Sequence, residues 1–325
     1  MFPHMRRQWR WWMAALSTLT ALLCLCACGG SSGAETAPAT STPTATFARL
    51  FTPHHPVRMR ADLAYGPAAL ETLDLCTPTD TSLSLPGIVL IHGGSSTVGD
   101  KRDEFDVQGD TLEDACMGLA SQGFVVASIN YRLAHADPWP AQVEDAQLAV
   151  RWLRTHAAEL GMDPHHICSV GFSSGAYLAV FLGALVTILP GDRASVLPDQ
   201  SPQASCVADF YGPVDLAAWV AAVPDSRVEV LDLLRQATPK TNPGLYRSAS
   251  PLYAISPASA PMLIVQGTSD DTVPEAQSRA LEAALKHQHV AVQYISYSGG
   301  HVFEGLDEGQ VRTIWDQALV FLAAH

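Results

Sequence analysis

Gly171-Phe172-Ser173-Ser174-Gly175 joins two segments of different character. Ile167-Cys168-Ser169-Val170 before it is short, apolar and β-prone, and Ala176 to Leu182 after it is an apolar run with helical character. A strand that turns abruptly into a helix around a serine is a nucleophile elbow, and G-x-S-x-G is its sequence signature. The glycines have a steric reason, because side chains at 171 and 175 would crowd the tight turn that exposes the Ser173 hydroxyl. The pentapeptide alone is weak, since a Gly/Ser cluster also makes an ordinary turn. Its setting and three further segments give it weight.

Working outward from the elbow, strands alternate with helices from about residue 58, which predicts a mostly parallel, twisted α/β sheet flanked by helices. Leu70–Leu75 reads as an early antiparallel strand, and Gly87–Ile91 as a strand buried on both faces. Thr111–Gln122 reads as a helix and Phe124–Ile129 as the next strand. Pro140–Leu160 is an amphipathic helix stopped by Gly161. Strands follow at Ala204–Phe210, Met262–Gln266 and Val290–Tyr297, and a helix covers Glu308–Ala323. Leu189–Gln203 reads as a surface excursion, and residues 213–260 as a small cap beside the site.

A serine hydroxyl needs an adjacent base to act as a nucleophile. On such a sheet the expected chain order is serine, acid, histidine. Asp270 follows the strand Met262–Gln266, where an acid can face the crevice at the strand ends, and His301 follows Val290–Tyr297 on a Gly-rich loop. Ser173, His301 and Asp270 are therefore the expected catalytic residues. Asp271 is expected to be solvated or to cap the next helix, and Asp215 is a second candidate acid. His54, His55, His135, His156, His165, His166, His287 and His289 are expected in exposed turns or helices. None has metal-ligand spacing, so no metal or cofactor is expected. An oxyanion needs preorganised donors. His92-Gly93-Gly94-Ser95-Ser96, directly after the buried strand, and the N–H of Ser174 are the expected source.

The set His92-Gly93-Gly94, Asn130-Tyr131-Arg132-Leu133, Trp139 to Asp145, the elbow, Gly267-Thr268-Ser269-Asp270 and Gly300-His301 resembles the α/β-hydrolase esterases. The bacterial group related to hormone-sensitive lipase and to feruloyl and acetylxylan esterases is the most similar. The likeness runs from about Ala61 to the C-terminus. It implies the α/β-hydrolase fold, a Ser173–His301–Asp270 triad, and oxyanion donors at Gly94, Ser95 and Ser174. It also implies a short-acyl ester substrate, either a small molecule or one linked to polysaccharide. Two positions depart from the pattern. Ser95 replaces the third glycine of H-G-G-G, which restricts φ beside the oxyanion, and Ser174 stands where many relatives have alanine. The second change is expected to matter little, because the donor is backbone.

The chain has 325 residues, 48% of them hydrophobic, enough for one large domain. Its net charge of −13 argues against a nucleic-acid partner. Arg6, Arg7 and Arg10 precede an apolar run from Met13 to Ala27, the pattern of a signal peptide. Leu25-Cys26-Ala27-Cys28 resembles a bacterial lipobox with Cys28 as the lipidated residue. This divides the chain into residues 1–28, a lipoprotein-type signal peptide; 29–57, a flexible linker; and 58–325, the catalytic domain. The expected location is a bacterial membrane surface, with the exported enzyme held by a lipid anchor. Export implies an oxidising compartment. Cys76, Cys116, Cys168 and Cys206 then allow three pairings. Cys168–Cys206 is expected as a bridge between neighbouring strands, set against four small buried hydrophobes.

Three functions compete. A serine carboxylic-ester hydrolase leads. A serine peptidase of the same fold would usually carry a propeller or other gate, and no internal repeat is present. A non-catalytic surface binding module should have lost a catalytic residue, and none is missing.

Overall fold

The computed structural model describes residues 51–325 apart from 82, 83, 107 and 192. The signal peptide, Cys28 and most of the expected linker lie outside the described residues. Among the described residues eight strands form one sheet: β1 (Val57–Ala64), β2 (Thr72–Pro78), β3 (Leu85–Ile91), β4 (Val125–Ile129), β5 (Met162–Phe172), β6 (Cys206–Phe210), β7 (Met262–Gly267) and β8 (Val292–Tyr297). Their order is β1-β2-β4-β3-β5-β6-β7-β8. β1 and β2 pair antiparallel with their neighbours, and the other six strands run parallel.

The helices among the described residues are α1 (Leu112–Ser121), α2 (Ala141–Leu160), α3 (Ser174–Ala184), α4 (Leu216–Ala222), α5 (Arg227–Leu233), α6 (Pro243–Ser248), α7 (Glu275–His287) and α8 (Glu308–Ala324). Side chains alternate across the sheet. Val89 and Ile91 join a core with α2, α3 and α7, while Ile88 and Leu90 join a second core with α1 and α8. This double burial explains the unbroken apolar run of β3. Gly161 ends α2 in the left-handed region at φ 64°, as its sequence position predicted.

The body begins earlier than residue 58. Phe51 is buried edge-on against Trp315, so the expected linker over 29–57 overlaps the fold at its end. β1 was not anticipated, because Val57-Arg58-Met59-Arg60-Ala61-Asp62 carries the charges of an edge strand and not apolar alternation. His165 and His166 lie on β5 and not in a turn or helix. His156 and His166 are half-buried, with ring nitrogens on the Trp152 and Leu322 carbonyls. The described residues of 189–203 carry no helix or strand, and Arg151 and Arg154 of α2 tie this segment down through the carbonyls of Arg193, Val196, Ser201 and Gln203.

Both cysteine pairs are bridged, Cys76 to Cys116 and Cys168 to Cys206. Cys168 and Cys206 are direct register partners on adjacent β5 and β6, as expected. The Cys76–Cys116 bridge staples β2 to α1.

Candidate active site

All the parallel strands end at the same edge of the sheet. β3 has β4 on one side and β5 on the other, so the loops after β3 and β5 open at a switch point. Ser173 follows β5 with φ 53° and ψ −119°, a strained conformation that rotates its side chain out of the strand. Two glycines permit the turn. A Cβ on Gly171 would lie 2.2 Å from the Gly175 carbonyl oxygen, and one on Gly175 would lie 2.2 Å from the Ile91 oxygen. The Ser173 N–H donates to the Phe210 carbonyl at 2.9 Å.

Three side chains from distant loops meet here. His301 Nε2 lies 3.1 Å from Ser173 Oγ, and His301 Nδ1 lies 2.7 Å from Asp270 Oδ2. The Asp270 carboxylate is enclosed. Its Oδ1 accepts the N–H groups of Thr272 and Val273 at 3.0 and 2.8 Å, and its Oδ2 also accepts Gln266 Nε2 at 3.1 Å. Gln266 is itself held by Ser278, whose hydroxyl donates to Gln266 Oε1 at 2.7 Å. Sequence reading missed this support, because nothing in Gln266 or Ser278 alone marks them. The two rival acids are elsewhere. Asp215 caps α4 and accepts the Tyr253 hydroxyl, and Asp271 is exposed.

The His301 loop is braced from below. Ser269 N–H donates to the Gly299 carbonyl, joining the acid loop to the histidine loop. Tyr211 packs edge-on against His301 with centroids 4.8 Å apart, and its hydroxyl donates to the Phe105 carbonyl. Beneath, Phe105, Phe172, Phe210 and Trp315 form a continuous aromatic cluster. Contacts of this kind contribute about 0.5–1.5 kcal/mol each beyond area burial.

The loop after β3 flanks the hydroxyl from the other side. Gly94 and Ser95 line a cavity of about 330 Å³ together with Ser173 and His301. Ser95 and Ser96 both have positive φ, 55° and 60°, so the serine that replaces a glycine does adopt the glycine-like conformation. Among the described residues, no hydrogen bond uses the N–H of Gly94, Ser95 or Ser174. The loop is held by His92, whose ring stacks on Tyr131 at 4.2 Å, while the Tyr131 hydroxyl donates to the His92 carbonyl at 3.0 Å. Burial holds the His92 imidazole down at about pH 4, so it is neutral near pH 7. Arg132 next to it grips Asp145 and Glu144 of α2, fixing the loop after β4.

One expectation needs correction. Ser174 was expected to act only through its backbone, but its hydroxyl accepts the Ser96 N–H at 3.1 Å and ties the β3 loop to α3. No cluster of three or more His, Cys, Asp or Glu side chains able to hold a metal occurs among the described residues.

The BD-FAE family model matches residues 73–285, spanning strands β2 to β7 and α7. The chain belongs to the BD-FAE family. This BD-FAE protein is 31% identical over 250 residues to Esterase LipQ of Mycobacterium tuberculosis, covering 74% of this chain and 56% of that one. It spans a little over half the length of the curated relatives it matches first. Among solved structures, a truncated carbohydrate esterase from gut microbiota superposes with a TM-score of 0.70 at 23% identity, covering 85% of this chain and 99% of that one. An acetyl ester-xyloside bifunctional hydrolase from Caldicellulosiruptor lactoaceticus superposes at 0.63 with 23% identity, covering 77% and 89%. These two likenesses establish that the BD-FAE chain shares the fold of both enzymes.

Proposed function

We propose that this protein is a serine carboxylic-ester hydrolase acting through an acyl-enzyme. The observation that carries this reading is the continuous path Asp270–His301–Ser173, with gaps of 2.7 and 3.1 Å. With Nδ1–H donating to the enclosed carboxylate, Nε2 is left to accept the Ser173 proton. Ser173 Oγ then attacks the ester carbonyl, and the oxyanion is met by the N–H groups of Gly94, Ser95 and Ser174. His301 returns the proton to the leaving alcohol. A water activated by the same imidazole then hydrolyses the acyl-serine. No step requires a cofactor.

The substrate in this reading is a short-acyl ester whose alcohol portion is a small molecule or a polysaccharide. The sequence resemblance supports this, as does the likeness to the carbohydrate esterase and the acetyl ester-xyloside hydrolase. So does the open cavity of about 330 Å³ beside His301, which has room for a sugar-sized alcohol. Ser173→Ala should abolish p-nitrophenyl acetate hydrolysis and fluorophosphonate labelling in a folded protein. Retained turnover would reject the reading.

The same proposal places the enzyme on a bacterial membrane, anchored through lipidated Cys28 and set off from it by the following linker. Its support is the Leu25-Cys26-Ala27-Cys28 order and the two disulfides, which persist in oxidising compartments. Metabolic labelling with an alkyne fatty acid should mark the wild type and not Cys28→Ser.

A further inference from the structure

A cavity of about 340 Å³ opens on the surface and shares no lining residue with the cavity that holds Ser173 and His301. Small-molecule sites span about 300–1,000 Å³, so it is large enough for a ligand. Trp139, Phe181, Leu185 and Leu189 give it apolar walls, from the approach to α2, from α3 and its end, and from the 189–203 excursion. The rest of the lining comes from α6 and the turn after it, and carries Arg247 and Tyr253.

The Arg247 guanidinium rests on the Tyr253 ring, 4.2 Å from its centroid, so the charge stands at a wall of the cavity. The Tyr253 hydroxyl donates to Asp215 at 2.8 Å, which fixes the ring beneath that charge. Arg247 and Tyr253 are both exposed, so a ligand entering from solvent can reach them. Among the described residues no carboxylate pairs with the guanidinium. The other polar donors of this wall are already used. The Ser248 and Ser250 hydroxyls donate to the Leu245 and Tyr246 carbonyls. Arg247 is the one charged residue among the described residues of the lining. An apolar hollow with a single uncommitted cation suits a monoanion on a hydrocarbon body. A carboxylate matches the planar guanidinium with two parallel hydrogen bonds.

We propose that this cavity is a second ligand site, apart from the catalytic one, that takes an alkyl monocarboxylate. The carboxylate pairs with Arg247, and the chain lies among Trp139, Phe181, Leu185 and Leu189. The proposal goes beyond the esterase reading and stands without it.

The test is calorimetric titration of the folded protein with octanoate, octanamide and acetate. Octanoate should bind. Octanamide lacks the charge and acetate lacks the chain, so each should bind about tenfold more weakly or worse. Arg247→Gln changes an exposed side chain and should weaken octanoate by about tenfold or more, with p-nitrophenyl acetate hydrolysis unchanged. Leu185→Trp fills the half-buried wall and should weaken octanoate by a similar factor. No binding of octanoate, or equal affinity for octanoate and octanamide, overturns the proposal. Octanoate affinity within about twofold of wild type in Arg247→Gln also overturns it, because the ligand then lies elsewhere, such as the catalytic cavity. If Leu185→Trp fails to fold, Arg247→Gln and the three-ligand comparison decide.

Discussion

The backbone N–H of Ser96 donates to the hydroxyl of Ser174 at 3.1 Å, joining the loop after β3 to the first residue of α3. The two groups of backbone donors proposed for the oxyanion, on Gly94 and Ser95 and on Ser174, therefore belong to one hydrogen-bonded unit. A catalytic donor misplaced by a fraction of an ångström loses much of its effect on the transition state. Ser174→Ala leaves every proposed donor in place but releases Ser96. It should lower kcat about tenfold with little change in KM, and cost about 1 kcal/mol of stability. Steady-state kinetics together with urea unfolding would check both. An unchanged kcat would show that the loop holds its position without this bond.

The Asp270 carboxylate has acceptor contacts on both oxygens, and His301 uses one of them. Asp270→Asn would present an amide to the imidazole and favour the wrong tautomer. The expected loss in kcat is about 10³–10⁴-fold, as found when a triad carboxylate is made neutral. Gln266→Leu removes one orienting contact and leaves the charge, so its loss should be far smaller, about tenfold. A Gln266→Leu defect as large as that of Asp270→Asn would mean that Gln266 does more than orient the acid.

Asp209 lies on β6 beneath the site, fully buried, with its Oδ1 accepting the Gly212 N–H at 2.8 Å and its Oδ2 unpaired. Burial pushes its carboxyl up to about 7, from an ordinary value near 4. Between these values the folded state holds a proton that the unfolded state has released. This contribution to stability is therefore greatest below about pH 4 and falls as pH rises towards 7. Asp209→Asn removes that slope. The variant should gain stability relative to wild type between pH 5 and pH 8, on the order of a few kcal/mol at most. Thermal melts of both proteins across this range test the sign. A variant that loses ground as pH rises would contradict it.

The Cys168–Cys206 bridge spans a separation of 38 residues. Loop-closure entropy for such a span corresponds to about 2–4 kcal/mol. The double substitution Cys168→Ser with Cys206→Ser should lower the free energy of unfolding by about that amount while leaving the Ser173–His301 geometry intact. Equilibrium denaturation gives the first quantity and burst-phase titration of active sites the second. Loss of active sites in a still folded variant would show that the bridge also shapes the elbow.

Much of the fold was legible because its signals are local. β3 from Gly87 onward reads as an unbroken apolar run buried on both faces, and β4 does so but for Ser128. α2 carries a clear apolar stripe, and its stop is a glycine that can adopt positive φ. The elbow was legible for the same reason, since the steric demand of the turn falls on two glycines within five residues. β1 was not legible, because a charged edge strand takes its conformation from pairing with β2. The short cap helices α4, α5 and α6 were not bounded either, since helices of six or seven residues owe their form to packing more than to propensity.

The three side chains that meet at the sheet edge could be named from the chain alone, because serine, acid and histidine each follow a recognisable strand and obey a fixed order. What surrounds them could not. That Gln266 and Ser278 hold Asp270, that His92 lies flat on Tyr131, and that Ser174 grips Ser96 all depend on side chains from separate elements meeting across the sheet edge. Turns, caps and apolar periodicity are properties of neighbours along the backbone. Contacts between distant polar groups are set by strand register and helix placement, and no single segment encodes these.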